Sequence, residues 1–190
     1  MKAEERVYKA FFDLKEPKLY YNQIKEHTNL SHSSLQNALE KIKKANIVRE
    51  EKTKANTFYI IKDKKVFSLK FSEIAIQKFN GLNANVKVPL RNSLKNIPEE
   101  IHTIVLFGSA SRKEETKDGD IDILVVSSKK TDLTQNKKEA EITSKHPISV
   151  FNATISQFKE NKDDIIIQAR KTGFPIYKEQ NFYEVMLDGY

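Results

Sequence analysis

Apolar residues recur at helical spacing near the start of the chain, where Val7, Ala10, Phe11 and Leu14 share one face and predict a helix that Pro17 ends. Residues 20–27 predict a second, short helix, and the polar run 28–33 predicts a turn rich in N-cap candidates. A third helix follows on Leu35, Ala38, Leu39 and Ile42, which leaves Ser33, Ser34, Gln36, Asn37, Glu40, Lys41 and Lys44 toward solvent. Residues 47–49 and 57–61 then read as two strands joined by a polar hairpin.

Beyond a charged break at 62–65 the pattern changes. Residues 66–69 predict a short strand or lead-in, Ile74, Ile76 and Phe79 a helix over 72–80, and 81–85 a turn. Leu90, Leu94 and Ile97 mark a helix that starts after Pro89 and stops at Pro98. Two strongly apolar runs, 104–107 and 120–126, read as strands. A polar helical stretch at 133–144, a strand at 147–153 and a further element from 155 follow. Asp163 and Asp164 open another helix, with acids at the positive end of its dipole, and Gly173 closes it. Residues 174–177 read as an edge strand and 182–187 as a terminal helical turn or dimer contact. The order of elements predicts an α+β protein in two parts, 1–65 and 66–190.

The candidate chemistry lies between Ile104 and Val126. An apolar strand ending in Gly108-Ser109 lets the backbone turn sharply and exposes amide donors where phosphate oxygens bind. Ser109 can cap the following helix or donate its hydroxyl, and Arg112 adds a cationic fork one turn on. In a strand, residues i and i+2 point to the same side, so Asp120 and Asp122 present both carboxylates on one face while Ile121 and Ile123 pack on the other. Such a pair suits Mg²⁺ (or Mn²⁺), an ion usually held by one or two carboxylates together with the phosphates of its substrate.

Gly108-Ser109, ten intervening residues and Asp120-Ile121-Asp122 resemble the signature of the minimal nucleotidyltransferases of the DNA polymerase beta superfamily, and Arg112 fits the Gly-Ser-x-x-Arg form. The resemblance covers about 101–126. It implies an α/β domain with a small mixed sheet after linker helices, ATP or another nucleoside triphosphate as donor, and transfer of the monophosphate to an acceptor with release of pyrophosphate. It also implies catalytic and metal-binding roles for Asp120 and Asp122 and nucleotide binding by Gly108, Ser109 and Arg112. The superfamily usually places a third acid on the next strand. Here that strand carries none; Ser149 or Asn152 stands nearest the expected place, and neither acts as a general base near neutral pH. Glu139, Glu141 or a partner chain remain as sources of the missing group.

Charge adds a second theme. The net charge of +7 is concentrated in the first 65 residues, which carry +6 against +1 for the remainder, and this favours a polyanionic partner. Three helices and a hairpin over about 4–62 resemble a winged helix-turn-helix domain. That likeness implies double-stranded DNA as a partner, with Ser34, Gln36, Asn37 and Lys41 toward bases and Lys43, Lys44, Lys52 and Lys54 toward phosphates.

The chain has no cysteine, which excludes disulfides and thiolate zinc sites. Its four histidines show no ligand spacing and read as surface or turn residues. With neither a signal-peptide core nor a membrane-length apolar run, a cytoplasmic location without membrane contact is expected. Two functions fit. One is a metal-dependent nucleotidyltransferase, AMP from ATP being the most plausible group, acting on a protein, RNA or small-molecule hydroxyl under a DNA-binding or regulatory winged helix. The other is a DNA-binding regulator or antitoxin-like protein whose nucleotidyltransferase-like domain only binds nucleotide or a partner. A toxin-like protein partner and a homodimer are compatible with both.

Overall fold

The computed structural model describes residues 1–116, 119–129 and 131–189. The chain divides into two compact units, Met1–Ile74 together with the described residues from Met186 on, and Ala75–Val185.

In the first unit, α1 (Ala3–Leu14) carries Glu4 and Glu5 in its first turn and ends on Lys15 in the left-handed conformation. Strand β1 (Lys18–Tyr20) leads directly into α2 (Tyr21–Thr28), which Asn29 stops in the same left-handed way. The hydroxyl of Ser31 accepts from the Ser34 N–H at 3.3 Å and caps α3 (His32–Lys44). Strands β2 (Val48–Lys52) and β3 (Thr57–Ile61) form the hairpin, and β1 joins the far side of β3 to give an antiparallel sheet in the order β1-β3-β2. Sequence patterning misses β1. At three residues it is too short to show a period, and Leu19 is its one buried side chain.

The charged break leads into a single long helix. The Asp63 carboxylate accepts from the Val66 N–H at 2.9 Å and starts α4 (Lys64–Asn80), so residues 66–69 are helical and not a strand. The expected domain limit at 65/66 falls inside α4, and the compact units part between Ile74 and Ala75. Phe67 is fully buried, with edge-on contacts to Tyr8, Phe11 and Phe71 at centroid distances of 5.3, 5.2 and 5.5 Å. This aromatic cluster rotates the buried stripe of α1 toward Tyr8 and Phe12 and leaves Leu14, expected inside, exposed.

In the second unit, α5 (Ala84–Ser93) begins before Pro89 rather than after it. The helix tolerates the proline in its interior by forgoing one backbone bond. Then come β4 (Ile101–Phe107), the single turn α6 (Gly108–Ser111), β5 (Ile121–Ser127), α7 (Thr134–Thr143) and β6 (Ile148–Thr154). The chain closes with α8 (Ile155–Glu160), α9 (Asp164–Thr172), β7 (Phe174–Tyr177) and α10 (Glu179–Asp188). The sheet is small and mixed, in the order β6-β5-β4-β7: β5 and β6 are parallel and joined through α7, and the other neighbours are antiparallel. Its two central strands are buried nearly throughout. That is why β4 and β5 read as continuous apolar runs rather than alternating ones. Asp163 caps α9 through the Ile165 and Ile166 N–H groups, Gly173 closes it, and β7 is an edge strand as expected. Among the described residues no helix is long and apolar enough to cross a membrane.

Candidate nucleotide site

Strand β4 delivers the chain to Gly108, whose φ of +69° is a conformation that only glycine adopts without strain. The register of β4 against β5 sets Phe107 opposite Asp122, which brings the Asp122 carboxylate beside the turn. A Cβ built on Gly108 would overlap Asp122 Oδ2 and stand 3.4 Å from its Cγ. The glycine is therefore needed twice, for its backbone angle and for the space the carboxylate fills.

Asp120 lies just before β5 and is exposed, whereas Asp122 is half-buried near the start of the strand. Burial and, after it, the neighbouring Asp120 charge push the Asp122 carboxyl above the ordinary carboxylate range. The two carboxylates are thus close enough to act on one another, although Asp120 stands just outside the strand that was expected to carry both. Asp120 Oδ2 accepts a hydrogen bond from the Ser149 hydroxyl at 2.8 Å, while Asp122 has no hydrogen-bond partner among the described residues. A desolvated carboxylate beside a second one, with no donor to offset its charge, is a donor set that a divalent cation fits. No group of three or more His, Asp or Glu side chains with ligand geometry occurs among the described residues.

Strand β6 settles which residue stands where a third acid was expected. Its parallel register puts Ser149 opposite Asp122 and Asn152 opposite Val125. Asn152 lines a separate cavity of about 310 Å³ with Ser127 and Thr154, at the far ends of β5 and β6. The fallback acids stay on α7, where Glu139 accepts from Gln135 at 3.2 Å and Glu141 pairs with Lys137 at 3.6 Å.

Arg112 is drawn back onto the turn. Its Nη1 donates to the Gly108 carbonyl at 3.0 Å and its Nε to Glu114 at 2.7 Å, so the fork braces the glycine turn and retains Nη2 as a donor. The Ser111 hydroxyl, buried, donates to the same Gly108 carbonyl at 2.7 Å. Ser109 is half-buried, and its hydroxyl has no partner among the described residues.

One contributor escaped sequence reasoning. His146, expected at the surface or in a turn, lies in the bend before β6 but is only 6% exposed, with Nδ1 3.0 Å from the Gly119 carbonyl and Nε2 3.0 Å from Asn85 Nδ2. Nothing local to Lys145-His146-Pro147 signals this.

Residues 90–182 match the family model described as Polymerase beta, Nucleotidyltransferase. The matched span begins in α5, ends in α10 and includes the Gly108 turn, both aspartates and Ser149. Comparison with curated proteins and with solved structures gives no match. Residues 90–182 are thus similar to the nucleotidyltransferases, and the small mixed sheet of the second unit fits such a domain.

In the first unit, Ser34, Gln36, Asn37, Lys41, Lys44, Lys52 and Lys54 are all exposed. They differ in how they are held. The Ser34 hydroxyl accepts from the Ser31 hydroxyl at 3.0 Å, Lys41 pairs with Glu4 at 2.8 Å, and Lys52 pairs with Glu50 at 3.1 Å. Lys43, expected to meet phosphates, is bridged between Glu40 and Glu50 at 2.5 and 2.6 Å, and these bonds raise its pKa. Among the described residues Lys44, Lys54, Gln36 and Asn37 are engaged by no other side chain.

Proposed function

We propose that the protein transfers a nucleoside monophosphate, AMP from ATP in the first instance, to a hydroxyl acceptor. The observation that carries this reading is the meeting of Asp122 with the Gly108 turn beside Asp120, inside a span matched by a nucleotidyltransferase family model. Asp120 and Asp122 would hold Mg²⁺, which would neutralise charge on the triphosphate and on the departing pyrophosphate. The first amides of α6 and the Ser109 hydroxyl would bind phosphate oxygens, while Arg112 keeps the turn in shape and offers its remaining donor. Ser149 orients Asp120 but supplies no base, so the acceptor proton leaves without the help of a third carboxylate.

The test is transfer of label from α-labelled ATP, in Mg²⁺ or Mn²⁺, to protein, RNA and small-molecule fractions. Label appears with the wild type and is lost in Asp120→Asn. Ser149→Asp, which sets an acid opposite Asp122, raises the rate by about 100-fold, the lower end of the range for a positioned general base. Tight binding of MgATP without transfer to any fraction, in wild type and Ser149→Asp alike, would instead favour the second reading. In it the domain binds nucleotide and the protein acts as a regulator or antitoxin-like partner, and the missing acid is the observation behind it.

We infer that the first unit is a winged helix-turn-helix module that binds double-stranded DNA through α3 and the β2–β3 hairpin. Its support is the order of three helices and a hairpin, the exposure of the polar face of α3, and the concentration of positive charge in this part of the chain. Lys44→Ala with Lys54→Ala reduces the salt dependence of duplex binding by about one to two in log–log slope, and Asn37→Ala relaxes sequence preference with the slope unchanged. Absence of duplex binding at low salt ends this reading.

A further inference from the structure

We propose that His146 and Asn85 are positioning residues for the Asp120 carboxylate, acting through a clamp in which residues 146–149 grip residues 119–121. The proposal rests on the reading of Asp120 as a metal and nucleotide ligand. Asp120 precedes β5 and is exposed, so the strand ladder alone does not hold it. Three bonds from one short segment do. His146 Nδ1 meets the Gly119 carbonyl at 3.0 Å, the Ile121 N–H donates to the Pro147 carbonyl at 2.9 Å, and the Ser149 hydroxyl donates to Asp120 Oδ2 at 2.8 Å.

The tautomer follows from chemistry. A carbonyl oxygen only accepts, so Nδ1 carries the proton, and in the neutral ring Nε2 then accepts from the Asn85 amide at 3.0 Å. Asn85 belongs to α5, so the ring transmits the position of a helix to the backbone next to Asp120. The histidine is itself fixed at its backbone: the Ser144 hydroxyl accepts from its N–H at 3.1 Å and donates to its carbonyl at 2.6 Å. With both nitrogens engaged and the ring buried, His146 is not a ligand. It determines where a ligand stands, as outer partners do around metal sites.

Two amide substitutions separate the ring's two bonds. In His146→Asn the amide nitrogen occupies the place of Nδ1 and keeps the donor to Gly119; in His146→Gln the amide reaches the place of Nε2 and leaves Gly119 unpaired. Both lose the ring, and both unfold at similar, lowered temperatures. Mn²⁺ affinity of the full chain, read from the electron paramagnetic resonance signal of free Mn²⁺ with and without ATP, falls about 10–100-fold in His146→Gln and stays within about threefold of wild type in His146→Asn. Asn85→Ala, at a half-buried position that leaves the ring in place, gives a loss between the two. Equal affinities in all three variants and the wild type, or equal losses in both His146 variants, overturn the clamp and leave the ring as core filling. An Asp122→Asn variant that binds Mn²⁺ as tightly as wild type overturns the underlying site instead, and a wild type that binds no Mn²⁺ overturns both.

Discussion

Asp122→Asn lowers the affinity for Mn·ATP by at least about 100-fold and at the same time stabilises the second unit at neutral pH. The loss is at least that expected for removing an outer partner of a metal site, because one of the two carboxylates that would face the ion is gone. The gain has a separate cause. Burial and the adjacent Asp120 charge raise the pKa of Asp122 in the folded state, and among the described residues no donor offsets the charge. A carboxylate whose folded-state pKa is raised contributes stability below its unfolded pKa, and that contribution is lost as pH rises through the folded-state value. Asparagine carries no such loss. The variant is therefore more stable than wild type above that value. Its advantage shrinks to nothing as pH falls to the ordinary carboxylate range. Denaturant titrations from pH 4 to pH 8, with calorimetry of Mn·ATP on the same samples, read both effects. A variant less stable than wild type at pH 8 contradicts the assignment of Asp122 as a desolvated, unpaired charge.

Gly108→Ala gives the second large effect, and its two parts separate. A left-handed backbone angle costs a non-glycine residue about 1–2 kcal/mol, and the new methyl group would overlap Asp122 Oδ2. The carboxylate, the freer of the two, swings aside, so the collision costs ligand geometry more than stability. Nucleotide affinity falls by about tenfold or more while the domain stays folded. With Asp122→Ala already present the overlap is gone, and adding Gly108→Ala costs only the backbone strain. The effects of the two substitutions on nucleotide affinity are then non-additive, as expected for groups in contact. Additive effects, or unchanged affinity in Gly108→Ala alone, show that the turn and the carboxylate do not meet.

How much of this was visible along the chain depends on the range over which each signal acts. The first three helices of the first unit follow from spacing and caps, with Ser31, one of several candidates in the run 28–33, serving as the cap of α3. The start of α4 had a cap as well, in Asp63, but the charged run around it read as a break. Pro89 misplaced the start of α5, because a proline favours a helix start yet is tolerated inside a helix that is held by its neighbours. The β1 strand and the burial of His146 have no local pattern, since each exists only through residues distant in sequence: β3 for the one, Asn85 and Gly119 for the other.

Spacing along the chain was enough for the glycine turn and the paired aspartates. Two acids two residues apart at the start of an apolar run stay close together, and an apolar strand that runs into glycine must turn, although Asp120 itself stands just outside β5. The packed sheet decided the remainder. The register between β5 and β6 chose Ser149 over Asn152 as the neighbour of the acids, and the register between β4 and β5 pressed Asp122 against Gly108. Segment 146–149 holds Asp120, and Arg112 turns toward its own loop. Strand register and burial are set by the balance of all the packed side chains together, so no short window of sequence contains them.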